Sequence, residues 1–242
     1  MGQSKKNIKE LIEELEDWDV ATREEAAKTL GDTGEEKAID ALLKALLKDQ
    51  SEDVRAASAR SLGKFYENKK IAKELGVLFE EEISPIVRIA IAYSIGNLEN
   101  ISAAKLMIPI LEREESIWVR EAIIEAFGKM KSKEFTQYIL KHLKEDPSQE
   151  VRVQAATSLL TNTDPTILNN LLLIFQSETS DEVKSRITEV ISTIPDLKSV
   201  EILTAALEDD EFKLTRATAS EALFRIAKKL GFKDENDMID ST

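Results

Sequence analysis

An arginine returns through this chain at nearly constant spacing. Arg23, Arg55, Arg88, Arg120, Arg152 and Arg216, with Lys184 in the sixth place, stand 32, 33, 32, 32, 32 and 32 residues apart. The same phrase surrounds each one and is clearest in Asp53–Gly63: Val-Arg opens it, small residues fill its middle, and Leu-Gly closes it. A fixed period over nearly the whole chain means stacked copies of one supersecondary unit, each burying its apolar face against its neighbours. That excludes the single closed core that 242 residues would otherwise suggest.

Each unit reads as two helices. In the second, Ala38 to Leu47 spaces its apolar residues three and four apart, an amphipathic helix A. Lys48 to Glu52 is a polar turn in which Ser51 is expected to cap helix B, running from about Asp53 to Phe65. Aromatics at 5%, with five prolines and eight glycines, leave little for a turn-rich all-β chain, so the class is all-α. The pattern predicts one solenoid over 1–230 with units at about 5–33, 34–67, 68–99, 100–131, 132–163, 164–195 and 196–230, fourteen helices in all. The acidic, aperiodic segment 231–242 reads as a flexible tail.

Composition narrows the function classes. A net charge of −13 argues against a nucleic-acid backbone as partner, because that affinity comes from Lys and Arg neutralising phosphates. There is no cysteine, hence no thiolate chemistry, and no apolar run long enough to span a membrane, so the expected location is cytoplasmic. His142 is the sole histidine, expected as a solvated surface residue on helix A of the fifth unit. No catalytic set, metal site or cofactor loop is found, and the expected cofactors are none.

The repeated V-R-x-x-A-A-x-x-L-G, as in Val54-Arg55 to Leu62-Gly63 and Val87-Arg88 to Ile95-Gly96, resembles HEAT repeats. It is most similar to the short, regular type found in phycobilisome-lyase-like HEAT proteins, over about residues 5–230. The resemblance implies a right-handed α-α superhelix whose second helices line a concave face. It also implies an inner ladder formed by Arg23, Arg55, Arg88, Arg120, Arg152 and Arg216, with Lys184 as a departure and Asp53, Glu150 and Glu182 as acidic partners. Ile86, Trp118 and Leu214 stand where that acid would be. The missing His-Glu dipeptide sets this chain apart from the HEAT-repeat hydroxylases that hold iron.

With helix B numbered from its Val as zero, positions 0, 4, 8 and 11 share one stripe, for example Val87, Ile91, Ile95 and Leu98, and form the core. Positions −1, 2 and 6 point away from it. In mid-chain this outward set turns apolar and aromatic: Ile86, Ile89 and Tyr93, then Trp118, bordered by Glu121, Glu125, Glu150 and Val153. Two placements are open, an exposed binding patch or residues tucked between repeats. The expected function is a non-catalytic scaffold or adaptor whose concave face grips a basic or amphipathic protein segment. The alternative, from the family alone, is a bilin lyase-type or other HEAT-repeat enzyme or enzyme subunit.

Overall fold

The structure, a computed structural model, describes residues 6–66, 68–208 and 211–232. From residue 233 onward, the anticipated acidic tail lies outside the described residues. Every regular element among the described residues is helical, and none is long and apolar enough to cross a membrane. The chain divides into two compact units, residues 1–130 and 131–242.

The first unit holds four helical pairs. They are α1 (Ile8–Glu14) with α2 (Val20–Thr33), α3 (Ile39–Lys48) with α4 (Glu52–Leu62), and α5 (Lys69–Glu81) with α6 (Pro85–Asn97). In the fourth, α7 (Ile101–Leu106) and α8 (Ile108–Leu111) precede α9 (Ile117–Lys129). The expected helix A of that repeat is broken at Met107, and Pro109 is the cause. Proline has no N–H for the carbonyl four residues back, and its ring crowds that carbonyl.

The two helix types are built differently. The A helix α3 is amphipathic and buries Ile39, Leu42, Ala45 and Leu46 on one side. The B helix α4 is buried almost all round through Val54, Ala56, Ala57, Ser58, Ala59, Ser61 and Leu62. Only small side chains allow that, because α4 packs against its own A helix, α3, and against the B helices α2 and α6 on either side. At Gly63 an added Cβ would stand 2.6 Å from Ser94 Oγ and 2.9 Å from Ser94 Cα. Ser94 Oγ in turn donates to the Ala59 carbonyl at 2.8 Å, and Ser61 Oγ to the Ala27 carbonyl at 2.8 Å. These serines thus satisfy their hydroxyls at the closest approach of neighbouring B helices, where an unpaired one would be costly.

The second unit repeats the plan with α10 (Lys133–Glu145) and α11 (Gln149–Ser158), α12 (Leu168–Ser177) and α13 (Asp181–Ser192), and α14 (Leu197–Glu208) and α15 (Lys213–Leu230). Phe135, Ile139 and Leu143 of α10 are buried, as are Val183, Ile187 and Ile191 of α13. His142 is not the solvated residue expected. It is buried, with Nδ1 3.0 Å from the Tyr138 carbonyl, because helical spacing turns it to the same side of α10 as Leu143. A carbonyl one turn back satisfies the ring there.

Candidate functional site

The periodic arginines form a ladder, and its rungs run differently from expectation. Arg23 Nε and Nη2 meet Asp49 Oδ2 and Oδ1 at 2.7 and 2.9 Å. Arg55 grips Glu82 at 2.9 and 3.1 Å, and Arg152 grips Glu178 at 2.8 and 3.2 Å. Each acid ends helix A of the following repeat, 26 or 27 residues on. Asp53, Glu150 and Glu182, the partners the resemblance implied, lie elsewhere: all three are exposed, Glu150 accepts from Ser148 Oγ, and Glu182 accepts from Gln149 Nε2. The reason is geometric. Position −1 precedes the Arg by two residues, and residues that close on a helix do not share a face.

The same guanidinium also closes its own turn. Nη1 of Arg23, Arg55, Arg120 and Arg152 donates to the carbonyl six residues back, at 2.9, 3.0, 3.1 and 2.9 Å. Each acid, besides its arginine, accepts the N–H two residues on: Ser51 to Asp49, Ser84 to Glu82, Ser116 to Glu114, Ser180 to Glu178. Ser51 therefore contributes its backbone and makes no hydroxyl cap. Arg88 departs by reaching Glu114 end-on, Nη1 at 2.8 Å and Nη2 at 3.2 Å, which leaves its buried Nε without a hydrogen-bond partner. Lys184 lacks the fork, is buried, and lies over the rings of Phe175 and Phe212 at 4.8 and 3.9 Å. Arg216 is half-buried.

Burial alone would raise the ladder carboxylates above their ordinary values. For Glu82 that effect is outweighed by the hydrogen bond from Arg55, the Ser84 N–H and the Arg55 charge, which together hold it below the usual range. Asp49 and Glu178 are held low in the same way by Arg23 and Arg152. These are structural ion pairs.

The mid-chain set occupies the outward strip of two adjacent B helices of the first unit. Ile86 at position −1 of α6 is 43% exposed, and Trp118 at the same position of α9 is 64% exposed. Neither tucks between repeats: each side chain stays in solvent while the next residue, Val87 or Val119, is fully buried. Ile89 and Tyr93 of α6 and Glu121 and Glu125 of α9 are half-buried. Since α6 packs directly on α9, the two strips run side by side about 8–10 Å apart. Burial pushes the Tyr93 phenol up, and the negative charges of Glu125 and Glu121 push it further. Lys129, one turn beyond Glu125, pairs with it at 3.0 Å, donates to Asn97 Oδ1 at 3.1 Å, and stands 5.7 Å from the Tyr93 ring centre. Residue type does not single out Lys129; its signal is its place at position 10, on the strip of Glu121 and Glu125. Glu150 and Val153 belong to α11 of the second unit, Glu150 exposed and Val153 half-buried.

The remaining surface offers less. A groove of about 220 Å³ runs between α1 and α3 over Ile12, Leu15 and Ala45, bridged at its rim by Lys44–Glu16 at 2.5 Å. Among the described residues no three His, Asp or Glu side chains converge as a metal would require.

Stacked helical pairs with a cross-repeat arginine ladder define an α-α repeat protein. The HEAT-repeat family pattern matches residues 8–75, 72–160 and 136–224, and the chain belongs to that family. No curated protein sequence matches it. Among solved structures it is similar to YibA of Escherichia coli, with a TM-score of 0.64 at 20% identity over 98% of this chain and 91% of that one. It is also similar to a chain in the complex of CpcE and CpcF of phycocyanin lyase from a Nostoc species, with a TM-score of 0.57, 22% identity, and 100% and 96% of the two chains covered. An engineered protein gives a TM-score of 0.53 at 18% identity over 97% and 71%. At these identities the likeness is one of fold.

Proposed function

We propose that the chain is a non-catalytic interaction scaffold, and that the outward strip of α6 and α9 docks a basic, amphipathic segment of another protein. The observation that carries this is the pair Ile86 and Trp118, at equivalent positions of neighbouring helices, 43% and 64% exposed in a chain whose corresponding residues are otherwise mostly polar. A solvated tryptophan beside isoleucine leaves apolar area that a partner can remove from water, and aromatic anchors dominate interface energetics. Glu121 and Glu125 border the apolar area and select against acidic partners. The phycocyanin lyase chain of similar fold was solved in a complex of two proteins, which supports the same use of stacked helices here.

The test is a peptide-display selection on the full chain, counter-selected on an Ile86→Asp/Trp118→Asp double variant of unchanged circular dichroism. The reading expects enriched peptides that are basic and amphipathic and lose at least tenfold in affinity for the variant. Enrichment of acidic peptides, or equal binding to both proteins, would overturn it.

A further inference from the structure

A narrower feature lies within the same strip, and its interpretation rests on the docking reading above. Tyr93 presents its ring between α6 and α9, with Glu121 and Glu125, one helical turn apart, acting on it from the α9 side. An electron-rich ring face beside the Glu125 carboxylate is a recognition site for a cation, and for a guanidinium above an ammonium. The planar guanidinium stacks on a ring while its fork reaches carboxylate oxygens, whereas an ammonium is a strongly hydrated point charge. The second observation is that the protein already places a cation there. Lys129 Nζ lies 3.0 Å from Glu125 Oε1 and 5.7 Å from the Tyr93 ring centre, with its side chain 39% exposed.

We propose that Tyr93 and Glu125 form a seat for an arginine of the docked segment, and that Lys129 fills this seat in the free protein and must be displaced on binding. Lys129 thereby sets a threshold. A half-exposed ion pair with a ring contact is weak enough to give way, but while it persists it lowers the fraction of molecules ready to bind and raises the apparent dissociation constant in proportion. A lone lysine on the partner offers little over the lysine already there, so the threshold favours arginine. The competing account is that Lys129 is only a strut from α9 to Asn97 of α6, as Lys64 is to Asp32 two pairs earlier.

The experiment titrates the isotope-labelled full chain with N-acetylarginine amide at low salt and follows the Tyr93 ring signals, assigned through Tyr93→Phe. The seat predicts a midpoint about three- to tenfold lower in Lys129→Met than in wild type, the combined effect of losing one exposed ion pair and one ring contact. Lys129→Arg, which fills the seat with the preferred guanidinium, should raise the midpoint above the wild-type value, and Lys129→Met/Glu125→Gln should lose the response. N-acetylnorleucine amide, uncharged, should leave the Tyr93 signals in place. Equal midpoints in wild type and Lys129→Met, or no Tyr93 response in Lys129→Met, overturn the proposal and leave Lys129 a strut. Either result leaves the display selection free to succeed, so failure of the seat is separable from failure of the docking face.

Discussion

Replacing Arg55 with methionine isolates what one ladder rung contributes. Arg55→Met keeps most of the aliphatic stem and deletes two charge-assisted hydrogen bonds to Glu82, at 2.9 and 3.1 Å, with a third to the Asp49 carbonyl at 3.0 Å. Breaking a fully buried ion pair costs about 3–5 kcal/mol, mostly from the charge left behind. Here the paired side chains are 16% and 11% exposed, and Glu82 keeps the N–H groups of Ile83 and Ser84. The stranded carboxylate is therefore partly compensated, and the loss falls to about 2–3 kcal/mol. Its pH dependence is fixed in sign. The folded Glu82 titrates below its ordinary 4.5, so its contribution is present above that value and is lost as pH falls through the lower folded one. Methionine at 55 removes the main lowering influences, so the variant's deficit is largest near neutrality and shrinks in acid. Urea unfolding followed by circular dichroism near pH 7 and again below pH 4 measures both, with hydrogen exchange to separate local from global opening. A deficit under about 0.5 kcal/mol at neutral pH, or one of equal size in acid, would refute the reasoning.

Four further outcomes follow from the packing. Gly63→Ala drives a methyl into Ser94 and should cost about 1–3 kcal/mol, read as a lower urea midpoint. At Glu99, held at φ 48° in the turn after α6, glycine relieves a left-handed cost of about 1–2 kcal/mol that exceeds the entropy it adds to the unfolded chain, so Glu99→Gly should raise the urea midpoint. Trp118→Ala removes a side chain that is 64% exposed and should shift stability by no more than about 0.5 kcal/mol, so any binding defect it causes is not a folding defect. Acid titration of the wild type should show stability falling below pH 4.5, as Asp49, Glu82 and Glu178, all held below their ordinary values, take up protons.

The repeat was legible because its determinants are local. Val54 and Leu62 lie on one face of one helix, and Gly63 follows at the point where the neighbouring B helix comes closest, so a single period carries all three. The acidic half of the ladder was not found that way, because Arg55 meets a residue 27 positions later, in the turn of another repeat. A signal was nonetheless present. Asp49-Gln50-Ser51, Glu82-Ile83-Ser84, Glu114-Glu115-Ser116, Asp146-Pro147-Ser148 and Glu178-Thr179-Ser180 recur with the arginine period, an acid-x-Ser phrase whose acid accepts the serine N–H. The A helices in the same repeats hid it, since Glu80-Glu81-Glu82 reads as a solvated run although Glu82 alone turns inward. Exposure of Trp118 could not be read from spacing, because it depends on what packs beside the first turn of α9, a turn that also holds the buried Val119 and Arg120. Lys129 escaped notice for the opposite reason: a lysine in the last turn of a helix is expected there on dipole grounds alone.

The central claim is tested most directly by the emission of Trp118. The chain has two tryptophans, so Trp18→Phe leaves Trp118 as the sole reporter. Adding a basic amphipathic peptide from the display selection should shift its emission to the blue with saturating dependence on peptide, and Ile86→Asp should abolish the shift. Saturable binding that leaves the Trp118 emission unmoved would place the docking surface elsewhere on the protein and contradict the account.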